Sequence, residues 1–190
     1  PKKIGSIMSL KIELTAGRDI LMPTGYNHYI QAFIYNHLGK KSTWLHEEGF
    51  QHEKRRFRMF CYSLLLERAR YLRKSRMLKF GNKVSFIIRS PIDWILQDVA
   101  LHTIKDDDLT LFKNQVRVAS ISVIAPKISD KHEYRIRALS PIEVHSTFET
   151  SRGKKKTYYY SPFEAEFSDL VNKNAQKKWK AVFQQDCSHF

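Results

Sequence analysis

Residue patterning predicts an α+β fold built on antiparallel strands. Two observations carry this. Alternating or β-branched runs at 10–14, 57–66, 83–89 and 116–124 have the period of strands. Helical stripes at 26–38 and 92–104 separate the first run from the second and the third from the fourth. The order strand, helix, strand, strand, helix, strand is the split βαβ, or ferredoxin-like (RRM-like βαββαβ), unit, and it spans 9–125. A third observation sets the rest of the chain apart. Residues 126–190 offer only a strand pair and one helix, a partial second domain too small to bury a core alone.

Pro1 to Ile7 are left outside the fold, with Met8 the expected start of the natural chain. In 10–14, Leu, Lys, Ile, Glu and Leu alternate, as a half-buried strand requires. Pro23-Thr24-Gly25 breaks the chain before the first helix. Tyr26, Tyr29, Ile30, Phe33, Ile34 and Leu38 recur at the spacing of one buried helical face. Tyr35 lies off that stripe, with His28 and Gln31, and Gly39 is the expected stop. A short helical or irregular piece over 42–48 should end at Gly49. Residues 57–66 and 83–89 read as strands, joined by a basic, hairpin-like connection over 68–76. Ser90-Pro91-Ile92-Asp93 opens the second helix, with Ser90 as N-cap and Pro91 at its first position. Its inward positions are Ile92, Ile95, Leu96, Val99 and either Thr103 or Ile104. In the second unit, 134–148 and 156–160 read as strands around a turn at 152–155. Ser161-Pro162-Phe163-Glu164 is a capping box for a last helix that turns Phe167, Leu170, Val171, Trp179 and Val182 inward.

The 190 residues hold 33 Lys and Arg against 19 Asp and Glu, a formal net charge of +14. So large a surplus calls for a polyanionic partner, whether RNA, DNA or an anionic membrane surface. Nine Tyr and 12 Phe beside that charge suit single-stranded nucleic acid, whose bases stack on rings while phosphates meet Lys and Arg. Cys61 and Cys187 are too few for a disulfide scaffold or a cysteine-rich zinc site, and they fit a reducing, cytoplasmic setting. No apolar run approaches a membrane span, and no signal peptide is visible.

The eight His include no HExxH pair, and the seven Gly form no phosphate-binding loop, so no metal site and no cofactor is expected. RNA cleavage needs neither, because the substrate carries its own nucleophile, the 2′-hydroxyl. The protein need only move protons, for which His has a suitable pKa, and stabilise charge on the phosphate with Lys or Arg. The segment 35–58 holds Tyr, His and basic residues together. Three basic clusters are candidate RNA contacts: Lys54, Arg55 and Arg56; Arg68, Arg70, Arg73, Lys74 and Arg76; and Lys154 with Lys155 on a turn. Lys173, Lys177, Lys178 and Lys180 read as a solvated helix face, and His28 and His37 as ordinary structural or surface residues.

Residues 26–63, YNHYIQAFIYNHLGKKSTWLHEEGFQHEKRRFRMFCYS, resemble the N-terminal signature of the CRISPR repeat-cleaving endoribonucleases of the RAMP superfamily. The matching pieces are Y-N-x-x-[YI]-Q-x-x-I-Y-x-x-L, then L-H-x-x-G-F, then a basic residue before a Phe-rich strand ending in Y-S. Leu139-Ser140-Pro141-Ile142-Glu143-Val144 resembles the opening strand of the family's second domain, and 158–167 its tyrosine-rich hairpin and following helix. The resemblance implies tandem ferredoxin-like domains and metal-independent cleavage of CRISPR precursor transcripts within the repeat, leaving a 2′,3′-cyclic phosphate and a 5′-hydroxyl. It implies His46 as general acid or base and Tyr35 as its assistant. Arg58 stands where the family often has Lys; it could stabilise charge but is a poor proton donor, and Lys54 is a nearby substitute. The implied partners are CRISPR repeat RNA and other CRISPR effector subunits, for a monomer or homodimer in the cytoplasm. The family's second domain continues into further strands and a glycine-rich loop, which nothing up to Phe190 supplies, so the second domain is expected as a hairpin and a helix. A non-cleaving repeat-binding protein or RRM-like subunit is the alternative. A generic RNA-recognition module should carry an aromatic K/R-G-F-G-F-type signature on a central strand, which KVSFIIR at 83–89 lacks.

Overall fold

A computed structural model describes residues 8–39, 43–125, 133–135 and 137–187. They fall into two compact units, one of residues 1–49 with 58–140, the other of 50–57 with 141–190.

The first unit is organised by β1 (Met8–Thr15), whose Leu10, Ile12 and Leu14 are buried while Lys11 and Glu13 face the other way. After it come β2 (Leu21–Pro23), α1 (Asn27–Asn36) and α2 (Thr43–Glu47). The chain then forms β3 (Phe50–His52) and β4 (Arg55–Phe57), a hairpin of the second unit. It re-enters the first with β5 (Cys61–Tyr62), β6 (Arg70–Leu72), β7 (Met77–Lys79) and β8 (Lys83–Ser90). Next are α3 (Asp93–Lys105), the small β9 (Thr110–Leu111) and β10 (Asn114–Gln115) hairpin, and β11 (Arg117–Ile124). The main sheet runs β11-β1-β8-β5, antiparallel throughout. With those strands numbered by chain order within the sheet, this is the 4-1-3-2 arrangement produced by two interlocked βαβ units, so the unit is ferredoxin-like.

The core lies on one face of this sheet. Val84, Phe86 and Ile88 of β8 join the buried side chains of β1. Phe33 of α1 meets Phe86 edge-on at 5.7 Å, and Ile30 and Ile34 are fully covered beside it. Helix α3 contributes Ile95, Leu96, Val99 and Thr103, while Ile104 is 62% exposed, which settles the alternative left open by the periodicity. At one end, the Asn114 amide accepts from Leu21 N–H at 3.0 Å and donates to Leu21 and Leu111 carbonyls at 2.9 Å each, tying β2 to the β9–β10 hairpin. On the opposite face of the sheet, Glu13 accepts from Lys11 (2.8 Å), Ser120 (2.6 Å) and Lys83 (3.1 Å).

Several local expectations need correction. The apolar run 57–66 is not one strand. Met59 adopts a left-handed φ of 57°, which breaks the ladder, and only Cys61 and Tyr62 pair with β8. Beyond them Ser63 bridges to β8 instead: its N–H donates to Ile87 O (2.9 Å) and its Oγ accepts from Ile87 N–H (2.9 Å). Ser90 is the last residue of β8 rather than the N-cap. Its hydroxyl accepts from Ile92 N–H at 3.0 Å and donates to Met59 O at 2.8 Å. Helix α1 ends at Asn36, and the buried His37 ring faces two acceptors, Phe33 O 2.7 Å from Nδ1 and the Asp106 carboxylate 3.1 Å from Nε2. Gly39 lies beyond the helix end, where its N–H donates to Asp98 at 2.7 Å.

The second unit contains the β3–β4 hairpin, the ribbon of β12 (His145–Glu149) and β13 (Lys155–Tyr159), and α4 (Ala165–Phe183), against which β3 packs. The strand expected over 134–148 is thus confined to its last residues, and Ile136 lies outside the described residues. Gly153 turns the ribbon at φ 70°. The expected capping box closes a turn ahead of the helix rather than the helix itself: Glu164 accepts from Ser161 N–H at 2.6 Å and Ser161 Oγ accepts from Phe163 N–H at 3.4 Å, but α4 begins only at Ala165, with Glu164 in the N-cap position. Of the expected inward positions of α4 only Val182 is buried, and Val171 is 41% exposed.

Phe86→Ala removes the ring at the centre of the core and should cost about 3–5 kcal/mol in urea unfolding. The donors around Glu13 lower its pKa from 4.5 to about 2. Ionised Glu13 therefore stabilises the fold above the range in which the unfolded carboxyl titrates, and that contribution fades as pH falls toward 2. Glu13→Gln should lower the melting temperature at neutral pH, and the gap from the parent should close on acidification.

Candidate active site

Burial of one face of α1 decides where Tyr35 points. Phe33 and Ile34 are in the core, so Tyr35, rotated a further 100° or so per residue, emerges half-buried at the rim. Helix α2 supplies the second group. Leu45, fully buried, anchors this single turn, and the adjacent His46 is exposed. The turn closes where Glu48 and Gly49 N–H groups both donate to Trp44 O, at 2.7 and 2.8 Å. Gly49 at φ 66° takes the left-handed conformation that ends it, as expected.

The two side chains meet. The Tyr35 and His46 rings are 4.4 Å apart between centroids and cross at 86°, an edge-to-face contact. Phe60 packs on Tyr35 at 5.5 Å and 78°. Tyr62, on β5, donates its hydroxyl to Asn27 O at 3.2 Å, and its phenol pKa is raised, first by burial and then by Tyr35 nearby. Arg58 donates from Nη1 to Glu48 O at 3.1 Å, which fastens the guanidinium to the end of the turn that carries His46. Tyr35, His46 and Arg58, which are distributed over 24 residues of sequence, thus belong to one neighbourhood of the first unit. A hydroxyl, an imidazole and a permanent cation so arranged can relay a proton and stabilise a phosphorane-like charge.

The basic candidates separate. Arg68, Arg70, Arg73, Lys74 and Arg76 line the β6–β7 hairpin of the first unit, all exposed. Lys54, Arg55 and Arg56 lie on the β3–β4 hairpin of the second unit, and Lys154 with Lys155 on the turn into β13, also exposed. Sequence reasoning missed Phe60 and Tyr62 as the aromatic supports of the site. The signal for them was the Phe-rich run itself, read there only as a strand. Tyr35→Phe should preserve the ring packing and leave the His46 ring-proton resonances in place, whereas Tyr35→Leu should displace them, as read in proton–carbon NMR spectra.

Residues 21–122 match the family described as CRISPR-associated protein Cas6, N-terminal, and 124–190 the family described as CRISPR associated protein Cas6, C-terminal. The CRISPR-associated endoribonuclease Cas6 1 of Methanocaldococcus jannaschii is 25% identical over 182 residues, covering 95% of this chain and 68% of that protein. A solved CRISPR-associated Cas6 protein superimposes with a TM-score of 0.69 at 24% identity, over 95% of this chain and 73% of that one. A RAMP protein described as binding different RNA substrates superimposes with a TM-score of 0.66 at 16% identity, over 95% and 74%. On these matches the chain belongs to the CRISPR-associated Cas6 family.

Proposed function

We propose that this chain is an endoribonuclease that cuts CRISPR precursor transcripts within the repeat to release guide RNAs, without a metal ion. The carrying observation is the contact of Tyr35 with His46 beside Arg58. Family membership and the endoribonuclease name of the M. jannaschii relative support the reaction class. The 2′-hydroxyl preceding the cut loses its proton to a base and attacks the adjacent phosphorus. The bond to the 5′-oxygen breaks, and that oxygen takes a proton. The products are a 2′,3′-cyclic phosphate and a 5′-hydroxyl, with no water consumed. His46 serves as general acid or base, Tyr35 assists through its hydroxyl, and Arg58 stabilises the charge on the non-bridging oxygens.

Arg58 fits the third role better than Lys54. Its guanidinium is held at the end of the His46 turn, while Lys54 belongs to the hairpin of the other unit. The cations of the β6–β7 hairpin, of 54–56 and of Lys154 and Lys155 contact RNA phosphates in this reading. The chain divides functionally at 125/126 into an N-terminal ferredoxin-like domain and part of a second, with repeat RNA and other CRISPR effector subunits as partners.

The test is cleavage of the repeat RNA of the chain's own CRISPR locus in excess EDTA, beside the same RNA with one 2′-deoxynucleotide before the cut. Wild-type protein should cut the first and not the second. Absence of cutting, or equal cutting of both, would overturn the mechanism, and tight binding without cutting would make this a repeat-binding protein. His46→Ala should slow single-turnover cleavage by about 10²–10⁴ with little loss of binding. Arg58→Lys should retain more activity than Arg58→Ala.

A further inference from the structure

Lys173, Lys177 and Lys180 are spaced i, i+4, i+7 on α4, so they share one helical face. Within the second unit that face lies over His52 of β3, and together they line a depression of about 260 Å³ with Gln176 and Asp186. Cys187 completes the lining, and among the described residues no branched aliphatic or benzene-ring side chain contributes to it, so the groups that offer specific contacts are mainly cationic. Two carboxylates already sit on the lysines. Asp186 is 2.7 Å from Lys180, and Glu53 is 3.8 Å from Lys177. Lys173 has no carboxylate within 4 Å among the described residues. The hairpin that carries His52 also carries Lys54, Arg55 and Arg56. Packing of β3 on α4 thus joins two basic clusters more than a hundred residues apart in sequence, Lys54, Arg55 and Arg56 with Lys173, Lys177 and Lys180.

We infer that the lysine face of α4 and the β3–β4 hairpin form one contact surface for the sugar-phosphate backbone of single-stranded RNA, with phosphate oxygens taking the places that Glu53 and Asp186 hold beside Lys177 and Lys180. This rests on the chain's being an RNA-binding protein, and it assigns a role to lysines that read in sequence as a solvated face. Flexible ammonium groups spaced along a helix suit a charged strand without reading its bases. The surface supplies affinity and salt sensitivity, and leaves the cleavage step to the first unit.

The experiment measures binding of a labelled repeat RNA to His46→Ala protein across about 50–300 mM KCl. The parent is compared with Lys173→Gln/Lys177→Gln/Lys180→Gln, with Glu53→Gln/Asp186→Asn, and with a charge-matched control, Lys105→Gln/Lys113→Gln/Arg117→Gln. The slope of log affinity on log salt should fall by about 2 in the lysine triple variant, about 0.7 for each lost phosphate contact. It should not change in the control, and the carboxylate double variant should bind severalfold more tightly. An unchanged slope in the triple variant, an equal fall in the control, or weaker binding in the double variant would each overturn the inference. If the His46→Ala parent binds no repeat RNA at all, the reading of the chain as an RNA-binding protein falls, and this inference with it. Single-turnover cleavage at saturating protein, with His46 intact, should be the same in the lysine variant as in the parent; a fall would place these lysines in the chemistry and overturn a purely binding role.

Discussion

Phe33 meets Phe86 edge-on at the centre of the first unit, and that contact holds the rotation of α1 about its own axis. With Ile30, Phe33 and Ile34 committed to the core, a turn of about 100° per residue leaves Tyr35 a single direction, toward the rim and His46. The helix cannot be rotated to bring another residue there without exposing an apolar ring. Close packing of the core thus becomes precision at the surface, because a side chain whose neighbours are locked is itself held. Leu45 does for α2 what Phe33 does for α1: a single buried residue seats a turn too short to be stable alone, and His46 follows from it.

Backbone conformation decides the third member of the site. The chain leaves the first unit after Gly49 and re-enters it at Arg58, with left-handed residues at Gly49, Glu53 and Met59 along the way. Such residues redirect a chain over a very short distance, at a local cost that non-glycine residues bear only when packing compensates. At Met59 the compensation is visible, since its carbonyl accepts from buried Ser90. The geometry delivers Arg58 to the Glu48 carbonyl. A guanidinium suits that place, because it can spend one donor on the backbone and keep others for a phosphate.

Charge is handled differently on different surfaces of the protein. On the other face of the main sheet, Glu13 gathers Lys11, Lys83 and Ser120, so two cations there share one carboxylate within the fold. The β6–β7 hairpin, residues 54–56 and the α4 face carry clusters of cations on exposed or half-exposed side chains. A net charge of +14 with exposed basic clusters on a hairpin and a helix face is expected of a protein that grips a flexible polyanion, rather than one that buries an ion pair for stability.

By itself the sequence determined the long elements and the class of partner. Periodicity was enough for β1, α1, β8, α3 and β11, because each carries its own amphipathic repeat over eight or more residues. The excess of Lys and Arg was enough to call for a polyanion, and the spacing around His46 and Tyr35 to single out those two residues. Short elements were beyond its reach: β3 with β4, β9 with β10, and the two-residue β5 each depend on a partner strand rather than on a repeat of their own. The same holds for Ser90, whose hydroxyl links Met59 O to Ile92 N–H from the end of a strand, and for the lysines of α4, whose surroundings include a hairpin from before residue 58. Helical and strand patterns are local and can be read along the chain. Which hairpin lies on which helix, and which side chains meet at 4 Å, is decided by long-range packing, which only the tertiary structure contains.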